Sequence, residues 1–158
     1  MMQQPMRLNT WRVLIEACFL VGAAALGITI AVWALDDEAP YVYHEVNAKI
    51  EPNPATAGGR VTVTWPVTIN RLCPAQVHRS LRNAENNRPL QQYDPTPSAL
   101  TVQMGDPTIE KTFELPVNLP PTVKYQAKVC FRCNPLHTIF PICVDTPSLF
   151  FRVNRKPE

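Results

Sequence analysis

The sequence predicts one N-terminal transmembrane α-helix followed by an all-β domain, in which seven to nine short antiparallel strands form two sheets. Three observations predict it. Val13 to Leu35 is a run of 23 residues, VLIEACFLVGAAALGITIAVWAL, whose only charge is Glu16. All but Pro5 of the 17 prolines follow that run. Proline lacks the backbone donor that a helix interior needs, so the remainder is made of strands and turns. Beyond Leu35 the apolar residues recur with period two and nowhere with the period of a helix. At 158 residues the chain has room for one ordinary domain plus such an appendage.

At about 1.5 Å per residue the apolar run crosses a hydrocarbon core of about 30 Å with some tilt to spare. Arg7 and Arg12 precede it and Asp36, Asp37 and Glu38 follow it. The positive-inside tendency therefore expects residues 1–12 to be a cytoplasmic tail. It makes the chain a single-pass protein of the inner (cytoplasmic) membrane, its C-terminal domain in the periplasm or outside. Trp11 and Trp33 fall near the two interfaces, and Glu16 stands one turn past Arg12, where the two pair and snorkel. A cleaved signal peptide is the rival, with Val32 and Ala34 at the small-residue positions. Its apolar region is usually about 7 to 15 residues, so the length favours a retained signal-anchor over 13–35. Cys18 lies inside the run and is followed by Phe19, unlike a lipoprotein acylation site. Ala23, Gly27 and Ala31 recur every four residues, the small-xxx-small spacing through which helices pair in lipid. Homo-oligomerisation through that face is one expectation; the chance spacing of an Ala-rich segment is the other.

Residues 36–44 read as a short acidic stalk, and 45–155 as the ectodomain. Glu45 to Glu51 alternates Val46, Ala48 and Ile50 with polar residues, and Pro54 to Gly59 supplies turn chemistry. Arg60 to Leu72 is the clearest strand, with Val61, Val63, Trp65, Val67 and Ile69 on one face. Pro66 interrupts its ladder and calls for a bulge or an edge. Val77 to Leu81 and Leu90 to Tyr93 flank the polar turn Asn83 to Asn87. Ala99 to Met104, Ile109 to Val117, Thr122 to Phe131 and Ser148 to Val153 complete the set. Val123, Tyr125, Ala127, Val129 and Phe131 repeat the alternation.

The stretch Pro54-Ala-Thr-Ala-Gly-Gly-Arg-Val-Thr-Val-Thr-Trp65 and the strand Lys124-Tyr-Gln-Ala-Lys-Val-Cys-Phe131 resemble the second and a late strand of immunoglobulin-like or fibronectin type III-like domains of bacterial surface and phage proteins. The resemblance implies an immunoglobulin-like sandwich. It departs from the antibody pattern in placing Tyr125 five residues before Cys130 rather than two.

Cys73, Cys130, Cys133 and Cys143 all follow the helix, and in an oxidising compartment an even number reads as two disulfides. Strand parity puts Cys73 with Trp65 and Ile69, and Cys133 with Tyr125 and Val129, while Cys130 faces the other way. That favours Cys73 with Cys133, or a local bridge between Cys130 and Cys143, and the two together form one complete pairing. The alternative is zinc. Cys130, Cys133, His137 and Cys143 have the spacing C-x2-C-x3-H-x5-C, close to a zinc knuckle, and could supply tetrahedral sulfur and nitrogen. The knuckle's glycine is missing, and Pro135 and Pro141 stiffen the loop. Haem attachment fails because Asn134 stands where histidine is needed, and no helix follows the cysteine pair as in a thioredoxin-like motif.

No G-x-S-x-G elbow, phosphate-cradling glycine loop or H-E-x-x-H pair occurs, so no catalytic residue and no cofactor is expected. The net charge of +2, from 15 basic against 13 acidic residues without long runs, argues against nucleic acid. The expected function is a non-enzymatic binding or structural module at the membrane, phage-encoded or part of a membrane complex, with lipid and a protein partner. Leu136, His137, Ile139, Phe140 and Ile142, held between prolines in the cysteine loop, are either its partner-binding tip or core. A lysis or superinfection regulator acting through the helix is the alternative.

Overall fold

The structure, a computed structural model, describes residues 7–97, 105 and 107–154. Its contacts divide the chain into two units, Met1–Asp37 and Glu38–Glu158. In the first, the helix α1 (Arg7–Ala34) begins earlier than expected, so Arg7 to Arg12, read as tail, are helical. Its Thr10–Ala34 portion is long and apolar enough to cross a membrane.

Ten strands are described in the second unit: β1 (Tyr41–Tyr43), β2 (Lys49–Glu51), β3 (Ala55–Thr56), β4 (Arg60–Ile69), β5 (Ala75–Asn83), β6 (Pro89–Pro97), β7 (Thr108–Glu114), β8 (Thr122–Phe131), β9 (Ile142–Asp145) and β10 (Leu149–Asn154). One sheet centres on β4, which pairs with β1 and β2 along one edge and with β7 along the other. The second runs β3-β10-β8-β5-β6, with β9 also on β8. The expected strand Ala99 to Met104 lies outside the described residues.

The long strands follow the sequence alternation. On β4, Val61, Val63, Trp65, Val67 and Ile69 are buried, and on β8 Val123, Tyr125, Ala127, Val129 and Phe131. These two rows belong to one core, to which β10 adds Leu149, Phe151 and Val153. Rings join the sheets: Trp65 lies 5.4 Å from Tyr125, Phe113 stacks on Tyr125 at 5.2 Å, and Tyr41 meets Phe131 at 4.9 Å. Each such pair adds about 0.5–1.5 kcal/mol to simple area burial. Pro66 sits where its missing donor does no harm. Val67 and Ile69 donate toward Pro107 and Gly105, so alternation turns Pro66 the other way, into the gap between β1 and β2.

Three expectations are corrected. Of residues 36–44, expected as a stalk, those from Glu38 onward belong to the β domain. Arg71 donates to the Glu38 carbonyl, Asn70 donates to that of Pro40, and Tyr41 is 1 % exposed. The strand expected over Glu45 to Glu51 is shorter, because Glu45 to Ala48 form a turn in which Asn47 adopts a positive φ. The sheets are not purely antiparallel either, since β3 runs parallel to β10 with Ala55 opposite Val153. Strands β1, β3 and β9 escaped the sequence reading because two to four residues give too few alternations to show a period. Gly58 makes the turn from β3 to β4 at φ 75°, where Val117 would lie 3.0 Å from an added Cβ.

If β1 is structural, Tyr41→Ala lowers the unfolding free energy of the full chain by about 3–5 kcal/mol, as for a buried aromatic. Val42→Ala, on the exposed side of the same strand, changes it by less than about 0.5 kcal/mol. Denaturant titration in detergent measures both, and equal small effects would restore the stalk.

Candidate functional site

Both cysteine pairs are formed. Cys73 bonds Cys133 with Cα atoms 4.9 Å apart, and Cys130 bonds Cys143, its direct cross-strand neighbour on β9, at 4.0 Å. The pairs span 60 and 13 residues, and by loop-closure entropy they contribute about 4 and about 3 kcal/mol. The zinc alternative at Cys130, Cys133, His137 and Cys143 is left without a thiolate. His137 is buried, and its Nδ1 accepts a hydrogen bond from the Cys133 N–H at 3.2 Å. It organises the loop.

That loop carries a short 3-10 turn, Pro135–Thr138, capped by Asn134, whose side-chain oxygen accepts from the His137 N–H. Proline at the first turn position and asparagine at the cap produce it locally. The five residues expected at a binding tip separate here. Ile139 and Phe140 are exposed, at 69 % and 73 %, whereas His137 is buried and Leu136 and Ile142 are half-buried. Ile142 packs against the core. Ala23, Gly27 and Ala31 are exposed along α1.

A second site was not visible in the sequence reading. Between the two sheets lies a cleft of about 290 Å³, with Tyr43 and Trp65 from one sheet and Val77, Arg79, Ala127 and Val129 from the other among its lining residues. Ile109, Glu110 and Lys111 of β7 also line it, as does the buried Thr146. Thr146 interrupts the return from β9 to β10. Its N–H donates to the Ala127 carbonyl, and its hydroxyl accepts from the Ala127 N–H, so the ladder to β8 survives the break. Strand β6 changes register against β5 between Val77 and Arg79, a bulge that re-aims side chains beside the cleft.

Arg79 is 8 % exposed, and its Nη2 donates to the Thr96 hydroxyl at 2.7 Å. Around it the polar groups are poorly served. The Trp65 indole N–H is buried without a hydrogen-bond partner, and the Tyr125 hydroxyl is buried with the Arg79 guanidinium beside it. Burial drives the Tyr43 hydroxyl well above its ordinary pKa; Tyr41 adds to this and the Arg79 charge offsets it in part. Tyr125 is raised by burial in the same way, again partly offset by Arg79, and Tyr93 is pushed up to about 12. The missed signal lay in strand parity: Val77-x-Arg79-x-Leu81 and Ile109-x-Lys111-x-Phe113 each put a cation in an apolar register.

The chain is thus an all-β domain of two sheets behind one apolar helix, and its two disulfides fit a non-cytoplasmic setting. No protein-family model matches it, and no curated protein does. Among solved structures it is similar to the one described as the crystal structure of the C-terminal domain of wzt. The TM-score is 0.50 and the identity 16 %, covering 77 % of each chain. At that identity the likeness speaks for the all-β fold alone.

Tyrosine ionisation tests the packing around the cleft. Because Tyr43, Tyr93 and Tyr125 hold their protons more tightly folded than unfolded, their contribution to stability is complete below the ordinary pKa of 10.0. It is lost as pH rises from there through the folded values. Alkaline titration of the tyrosinate absorbance should show these three silent near pH 10 in the native protein and titrating normally in denaturant. Full ionisation at that pH without unfolding would contradict the buried cluster.

Proposed function

We propose that the chain is a non-enzymatic binding module held at the inner membrane by α1, with the N-terminus in the cytoplasm and an immunoglobulin-like sandwich outside. The observation that carries binding is the cleft. It is a recessed space between the two sheets, with aromatic and apolar walls and a few convergent polar groups, the usual composition of a small-molecule site. The charge asymmetry across the apolar run and the disulfides support the membrane topology. The immunoglobulin-like reading is supported by the split of the first strand region, β1 and β2 on β4 and β3 on β10, and by the order β10-β8-β5-β6. The exposed Ile139 and Phe140, on a loop fixed by a disulfide and a capped turn, favour a second surface for a protein partner.

A reporter active only outside the cytoplasm, fused after Glu158 and expressed in bacteria, should be active, and a cytoplasm-only reporter silent. The reverse result would overturn the topology. For binding, a panel of small neutral, cationic and anionic ring compounds is titrated into isotope-labelled full-length protein in micelles. Saturable shifts confined to residues lining the cleft are expected for one class at least. A cleft indifferent to the whole panel would overturn the binding reading.

A further inference from the structure

Along β4, β5, β7, β8 and β10 the core-facing side of each strand is apolar between its ends, with two exceptions. Arg79 on β5 stands opposite Ala127, and Lys111 on β7 stands opposite Val63. Directly paired residues share a face, so each cation takes the face of a buried apolar partner. Both line the cleft. Their positions on separate sheets make the convergence invisible to any local reading of the chain.

Among the described residues no ion pair is recorded for the charges there. The ion pairs of the described residues are Lys49 with Glu51 and Arg60 with Glu114, neither in the cleft. A guanidinium has five N–H donors, and Arg79 turns its own to neutral hydroxyls, donating to Thr96 and facing the Tyr125 hydroxyl. Glu110, the acidic residue of the lining, pairs with Thr64 in register and so projects from the other face of β7 to Lys111. A nine-tenths buried cation without a carboxylate is costly unless an anion meets it. Beside the two cations stand the faces and edges of Tyr43 and Trp65, 6.3 Å apart and nearly perpendicular. A volume of about 290 Å³ suits one ring and its substituents rather than a polymer segment.

We propose that this cleft binds a small ring-bearing oxyanion, a carboxylate or phosphate, with Arg79 and Lys111 holding the anionic group and Trp65 and Tyr43 against the ring. Arg79 offers the planar fork that fits two oxygens of one oxyanion, and Lys111 a point charge at the mouth. The proposal rests on the reading of the cleft as a binding site and adds the class of ligand.

The test uses the full chain in detergent with Trp11→Phe and Trp33→Phe, leaving Trp65 as the one reporter of the 3 tryptophans. Its emission is titrated with benzoate, phenyl phosphate and benzyl alcohol. Both anions, or one of them, should give a saturable change at least about tenfold tighter than the neutral alcohol, and the tighter one identifies the oxyanion. Arg79→Gln should weaken anion binding by about tenfold or more and leave the alcohol unchanged. Lys111 is exposed, so Lys111→Met, expected to cost about fivefold, tests the same claim without touching the core. Equal affinity for all three compounds would overturn the anion class while leaving a binding cleft. Silence toward all three would overturn the anion proposal, and silence across the wider panel as well would remove the binding site itself. Anion binding that ignores Lys111→Met and Arg79→Gln would overturn the assignment of these residues.

Discussion

The contact between Trp65 and Tyr125 is the one on which the rest of this domain depends. Each sits at the centre of the longest alternating strand of its sheet, and their rings meet at 5.4 Å. Phe113 stacks on the same tyrosine, so β7 is drawn over the core at the point where its sheet ends. Around that trio the valines of β4 and β8 exclude water, the main favourable term for a domain of this size. The cleft lies beside these rings, with Trp65 in its wall.

That cleft is where the structure departs from an apolar sandwich interior. Trp65 brings an indole N–H that is left unbonded, Tyr125 a buried hydroxyl, and Arg79 a charge beside it. The tyrosines bear the consequence as raised pKa values, moderated by the guanidinium. A sequence selected for stability alone would favour an aliphatic residue at Arg79, because a buried cation served by neutral hydroxyls rather than a carboxylate loses more hydration than its surroundings return. Local cost of this kind collects at binding sites, where a ligand supplies the missing partner.

The disulfides act on a different part of the molecule. Both lie at the end where β8 leaves the sheet, one tying it to the start of β5 and the other to β9. They hold a loop whose backbone is further fixed by Asn134 and His137, and which exposes Ile139 and Phe140. Rigid support under exposed apolar side chains lowers the entropy lost on docking. The cleft and the tip are therefore built from separate parts of the same sheets.

Much of this was legible in the chain itself. The apolar run, the proline-rich remainder, the buried faces of β4 and β8 and an even number of cysteines beyond the helix follow from periodicity and composition, which neighbouring residues determine. Strand β8 was read to the residue, because ten residues of clean alternation leave little freedom. The short strands β1, β3 and β9, the burial of Tyr41 and the parallel pairing of β3 with β10 were decided only by the tertiary structure. Each carries too little pattern of its own to announce itself, and β1 and β3 also pair with strands far away in sequence. The same holds for the cleft. Arg79 and Lys111 are 32 residues apart on different sheets, and only the register of β5 on β8 and of β7 on β4 turns both to one space.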